Sequence, residues 1–296
     1  MKLNWKGAWA AIPTPFRGEP DLEAYSRHLT FLLNNGIDGI VAVATTGEAA
    51  TMTELERQNV VHKTVELCHG RVPVIMGVGT NDTRSTIANA LLAKKCGVDG
   101  VLAVTPYYNK PNQEGLYRHF MMLADSTDLP ILVYNVPGRT GSKCLPETFE
   151  RLVKHPNIVG TKDATGDMVF AANTRLATNN DFIMFSGDDD SCLPFMSIGG
   201  VGVISVVANI APRLMHDLCE SVLNHNLTRA RELYLKQLPL CQALFSTTSP
   251  IPLKMMLSRG HIHYPPELRM PLCELTKNET DALCAPFADF INEVIL

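Results

Sequence analysis

Lys162 directly follows an apolar run in NIVGTKDATGD, residues 157–167, and it offers the sequence's strongest prospect of chemistry. An ammonium among apolar neighbours loses hydration, so its pKa falls and the neutral amine becomes a nucleophile for a carbonyl carbon. The same position also suits a lysine whose stem lines a rim while its charge reaches water. Arg139, in VPGRTG, carries a rigid fork that matches a carboxylate, although a rim ion pair uses the same geometry. Tyr134 is a proton carrier if other hydroxyls link to it, and otherwise a core tyrosine with a satisfied hydroxyl. Thr45, Thr46 and Gly47 offer hydroxyls and backbone amides for a carboxylate, a weak signal when taken alone.

Chemistry of this kind needs a scaffold that brings distant segments to one place. Eight short apolar runs, at 8–12, 39–44, 73–77, 100–105, 130–135, 157–162, 182–186 and 202–207, read as strands buried on both faces of a parallel sheet. Helical patterns lie between them, one opened by a capping box at Thr53 and Glu56. GIDGIVAVA at 36–44 echoes GVDGVLAVT at 97–105, a spacing of 61 residues that fits two β-plus-α units. No G-x-G-x-x-G follows the first run, so the pattern predicts an α/β fold of the closed (β/α)8 TIM-barrel type over residues 1–225. Residues 226–296 read as a C-terminal helical extension without a strand.

A barrel of this type places its site at the C-terminal strand ends. The polar residues predicted there are Thr45, Thr46 and Glu48; Tyr107 and Tyr108; Tyr134, Asn135 and Arg139; Lys162 and Asp163; and Ser186, Gly187 and Asp188. The seventh and eighth ends read SGDDDS and VANIAP, acidic and uncharged, which argues against phosphate ligands, pyridoxal phosphate included. Neither SGDDDS nor HIH at 261–263 has zinc-ligand spacing, and the aspartates read as a solvated loop. No metal and no cofactor are expected.

With 296 residues, 46% of them hydrophobic, a formal net charge of −4 and no long run of Lys or Arg, the chain shows no footprint for nucleic acid or an anionic membrane. No signal-peptide core or 18-residue apolar stretch is visible. Eight cysteines stand singly, so they read as reduced, mostly buried thiols of a cytoplasmic protein.

TTGEAAT at 45–51, VTPYYNKPNQEGLYRHF at 104–120, LVYNVPGRTG at 132–141, IVGTKDATGD at 158–167, SGDD at 186–189 and GGVGVISV at 199–206 together resemble the pyruvate-dependent class I aldolase and lyase family, nearly over the whole chain. The resemblance implies that Lys162 forms a Schiff base with pyruvate. Thr45, Thr46 and main chain near Gly187 and Ile204 would then hold the pyruvate end. Tyr134, Thr46 and Tyr108 would relay protons, with Tyr108 lent by a neighbouring subunit of a homotetramer built as a dimer of dimers. Tyr107 would fall at that interface.

Arg139 in its VPGRTG context favours the branch that condenses pyruvate with L-aspartate 4-semialdehyde in lysine and diaminopimelate biosynthesis. The related lyases of N-acetylneuraminate or 2-keto-3-deoxy sugar acids are the alternative, followed by a catalytically silent keto-acid-binding barrel. In relatives inhibited by lysine, a serine, histidines and a glutamate line the allosteric pocket. Here Ala49, Glu54, Arg57 and Ser85 occupy the matching places, and only Asn81 and Tyr107 are retained. Weak or absent lysine feedback is expected.

Overall fold

Each of the eight apolar runs forms a strand in the computed structural model, which describes residues 3–294. The strands are β1 (Gly7–Ala11), β2 (Gly39–Ala42), β3 (Val74–Gly77), β4 (Gly100–Val104), β5 (Ile131–Asn135), β6 (Ile158–Asp163), β7 (Ile183–Ser186) and β8 (Gly202–Ser205). Each pairs in parallel with the next, and β8 closes on β1 with Gly7 opposite Gly202. Strand side chains alternate between two apolar clusters. Trp9, Val41, Ile75, Leu102, Leu132, Tyr134, Phe185 and Ile204 fill the barrel, while Ala8, Ile40, Met76, Val101, Val133 and Val203 face the helices. This two-sided burial explains why the runs are continuous rather than alternating.

The internal echo proves to be one structural device used twice. Asp38 exchanges hydrogen bonds with Ala8, donating from N to its carbonyl at 2.9 Å and accepting its N–H on Oδ2 at 2.8 Å. Asp99 does the same with Val74, at 2.8 Å in both directions. The glycine after each aspartate makes room for an indole inside the barrel. A Cβ on Gly39 would lie 2.3 Å from the Trp9 ring, and one on Gly100 would lie 2.5 Å from Trp5. The two indoles pack edge to face with centroids 5.4 Å apart, and Trp9 continues onto Phe185 at 5.2 Å.

Helices α1 (Leu22–Asn34), α2 (Glu54–Cys68), α3 (Thr83–Cys96), α4 (Gln113–Ser126), α5 (Pro146–Leu152), α6 (Met168–Ala177), α7 (Cys192–Ser197) and α8 (Pro212–Leu223) each follow the strand of the same number. Asp21, Thr53, Asp82, Asn112 and Asp167 cap five of them, and Thr53 with Glu56 forms the expected capping box. Beyond the barrel come α9 (Leu227–Leu244), α10 (Ile251–Arg259), α11 (Lys277–Cys284) and α12 (Ala288–Asn292). A two-rung hairpin, Phe16–Arg17 against Glu19–Pro20, follows β1 and is too short to leave an apolar pattern in the sequence. Seven of the eight cysteines are buried and Cys273 is exposed.

Candidate active site

Strand register brings the central pair together. Tyr134 on β5 lies opposite Lys162 on β6, and Lys162 in turn lies opposite Phe185 on β7. Partners in parallel strands share a face, so these three side chains enter the barrel at one level. The Lys162 Nζ is 4.3 Å from the Tyr134 ring centroid, and the residue is only 6% exposed. Burial draws its pKa down to about 8; the carboxylates of Asp188 and Asp189 oppose that fall, and Arg139 adds to it. Burial pushes the Tyr134 phenol above its ordinary value, which keeps its proton on at neutral pH. Lys162 thus stands as a desolvated amine beside a protonated phenol.

A cavity of about 500 Å³ opens at the strand C-termini, walled by Thr45, Tyr107, Tyr134 and Arg139 among others. Thr46 is buried in the turn that follows β2, next to Thr45. Gly187 follows β7 and donates its N–H to the Asp163 carbonyl at 2.6 Å, while Ile204 is buried inside the barrel on β8. Arg139 is exposed at the rim, and its Nη2 donates to the Ser249 carbonyl at 3.3 Å. The turn after β2 is held in an unusual backbone path. Val43 and Glu48 have φ of +53° and +55°, and left-handed backbone at a β-branched residue costs of order 1–3 kcal/mol.

Thr46, Lys162, Gly187 and Ile204 are not among the residues that wall this cavity, and other expected site residues lie outside it as well. Tyr108 has φ of +71° and is 88% exposed, outside the wall of its own chain's cavity. Asn135 ends β5 but turns into the core, where its amide donates to and accepts from the Cys144 backbone at 3.1 and 3.0 Å. Asn81 is half-buried, and its carbonyl accepts from Asn109 Nδ2 at 2.8 Å, which ties it to the loop that carries Tyr107. Asp163 spends Oδ1 on the Thr165 N–H at 2.8 Å, and its other oxygen is buried without a partner.

A model described as the dihydrodipicolinate synthetase family matches residues 4–287. The chain belongs to that family. A 4-hydroxy-tetrahydrodipicolinate synthase of Thermotoga neapolitana is 46% identical over 285 residues, spanning 94% of this chain and 96% of the relative. The crystal structure of dihydrodipicolinate synthase from Thermotoga maritima superposes with a TM-score of 0.94 at 43% identity, covering 97% of this chain and 98% of that one. A structure described as the first monomeric dihydrodipicolinate synthase variant gives 0.93 at 42%, with 99% and 98% covered.

Within this dihydrodipicolinate synthetase fold, SGDDDS departs in part from the solvated loop expected of it: Asp190 is exposed, but Asp189 is not. Asp189 is buried and accepts the N–H groups of Val206 and Val207 at 2.9 and 3.1 Å, which bind the loop after β7 to the end of β8. Asp188 is half-buried, and its desolvation, with Asp190 nearby, pushes its carboxyl up to about 7. A lysine placed behind an apolar strand calls for a counter-charge nearby, but that requirement does not say which of three consecutive aspartates is buried. The other residue missed is Lys254 on α10, which is fully buried and paired with Glu48. In HIH, Ile262 is buried between two exposed histidines, so the two rings do not converge from one buried site. Among the described residues, an acid and histidine group does gather at His216, Asp217 and Glu220 on α8, where His216 Nδ1 already lies 2.9 Å from Asp38 Oδ2.

Proposed function

We propose that this chain condenses pyruvate with L-aspartate 4-semialdehyde through a Schiff base on Lys162, giving 4-hydroxy-tetrahydrodipicolinate, as the names of its relatives suggest. The observation that carries the reading is a desolvated amine, its pKa drawn down to about 8, in register with Tyr134 at the mouth of a barrel. The neutral amine attacks the keto carbon of pyruvate, and loss of water leaves an iminium. That cation acidifies the adjacent methyl group, a proton leaves, and the enamine carbon bonds to the aldehyde carbon of the second substrate. The amino group of that substrate then attacks the imine carbon, closing the ring and expelling the amine of Lys162.

Thr45, Thr46 and the main chain near Gly187 and Ile204 would hold the pyruvate end, and Arg139 at the rim would take the carboxylate of the semialdehyde. Tyr134, Thr46 and Tyr108 would pass the protons. The exposure of Tyr108 supports its donation to a second copy, and we read the assembly as a homotetramer built as a dimer of dimers. No helix among the described residues is long and apolar enough to cross a membrane, which accords with a cytoplasmic enzyme.

Turnover assays separate the readings. Activity with pyruvate and aspartate semialdehyde, and none in cleaving N-acetylneuraminate or 2-keto-3-deoxygluconate, is expected; the reverse pattern would move the chain to the alternative branch. Asn81 and Tyr107 remain at the place where lysine acts in inhibited relatives, but Ala49, Glu54, Arg57 and Ser85 supply different chemistry there. Strong inhibition at submillimolar lysine would contradict the weak or absent feedback expected.

A further inference from the structure

Glu48 lies two residues beyond Thr46, and its carboxylate turns into the protein. One oxygen accepts from Lys254 Nζ, and the other accepts the Arg269 N–H at 2.9 Å. The Glu48 and Lys254 side chains are 2% and 0% exposed, so both charges are desolvated and each depends on the other. Lys254 also donates to the Glu267 carbonyl at 2.9 Å. Arg269 reaches the far end of the same turn, donating from Nη1 to the Thr51 carbonyl at 3.0 Å and to Glu56 Oε2 at 2.8 Å. Both cations rest on the Phe16 ring, Lys254 at 4.4 Å and Arg269 at 4.3 Å from its centroid. The partners of Glu48 lie 206 and 221 residues away in sequence, so the turn after β2 is gripped by a segment outside the strand-and-helix repeat.

The turn has need of that grip. With left-handed backbone at both Val43 and Glu48, it is not the path these residues adopt alone. We infer that Glu48 is a positioning residue for the keto-acid-binding turn and that Lys254 and Arg269 of the C-terminal segment fix its geometry. Through Glu48 they place the Thr45 and Thr46 hydroxyls and the amide of Gly47 at the spacing a carboxylate requires. This rests on the reading of Thr45 and Thr46 as pyruvate-binding residues. Neither Glu48 nor Lys254 is given a chemical step, so their loss should be felt through Thr45 and Thr46, in the affinity for the first substrate and, by way of the Thr46 relay, in turnover.

The test is the steady-state kinetics of Glu48→Gln, Lys254→Met and the double variant, with borohydride trapping of pyruvate on the unmodified enzyme as a control. The single variants are expected to raise KM for pyruvate about tenfold, the scale of a misplaced hydrogen-bonding contact. Their KM for the semialdehyde should stay within about twofold, and kcat at saturating pyruvate should fall as well, because the displaced Thr46 also serves the proton relay. Lys254→Met leaves a buried carboxylate unpaired and is the variant most exposed to misfolding; the double variant removes both charges and keeps the test open. A pyruvate KM unchanged in a folded double variant, or equal losses for both substrates, overturns the inference. If the unmodified enzyme traps no pyruvate on Lys162, the reading beneath it fails instead.

Discussion

The burial of Lys162 carries a cost in stability and, on the proposed mechanism, sets the pH dependence of activity. Its amine is deprotonated near pH 8 in the folded chain but near 10.5 when unfolded, so between those values the unfolded state binds more protons. Stability contributed by this group is therefore fully present above about 10.5 and is lost as pH falls through about 8. At pH 7 the protein carries the whole penalty, and Lys162→Met removes it. A thermal midpoint at pH 7 no lower than the parent's is expected for that variant, together with loss of turnover; a large fall would show that the ammonium stabilises the barrel. Imine formation should accelerate with pH and level off above about 8, as the neutral fraction of the amine saturates. The placement of Lys162 and Tyr134 at the ends of their strands, and of Arg139 in the turn that follows one, was legible in the sequence because a strand end is a local feature. Buried Asp189 was not, since three consecutive aspartates look alike until the strand beside them shows which one it binds.

At the scale of elements, the apolar runs gave away all eight strands because burial on two faces leaves no polar gaps. The purpose of their glycines lies in tertiary contact. Gly39→Ala would set a methyl group against the Trp9 ring inside a filled barrel, and overpacking of this kind costs about 1–3 kcal/mol. A lower thermal midpoint with an unchanged KM for pyruvate is expected, because the clash lies at the opening of β2, away from the turn that ends it. The hairpin at Phe16–Arg17 and the Glu48–Lys254 pair had no such signal. One is too short for a period, and the other joins residues more than two hundred positions apart.

For the whole molecule, the exposed Tyr108 raises the question of whether one chain is a complete enzyme. If it is lent across an interface, Lys162→Met and Tyr108→Phe chains complement each other, since a mixed pair rebuilds one intact site. Mixing two nearly inactive variants under subunit exchange should recover up to about a quarter of parental activity, the share of sites that random pairing makes whole. No recovery despite proven exchange would place the function of Tyr108 within its own chain. A monomeric variant among the structural neighbours makes this a question to settle by measurement.

The most direct test of the central claim is reduction of the protein with borohydride in the presence of pyruvate, followed by peptide mass mapping. A reduced pyruvate adduct on the peptide containing Lys162, and its absence from Lys162→Met, is the expected result. An adduct on another lysine, or none at all with a folded and pyruvate-saturated protein, would contradict Schiff-base catalysis at Lys162.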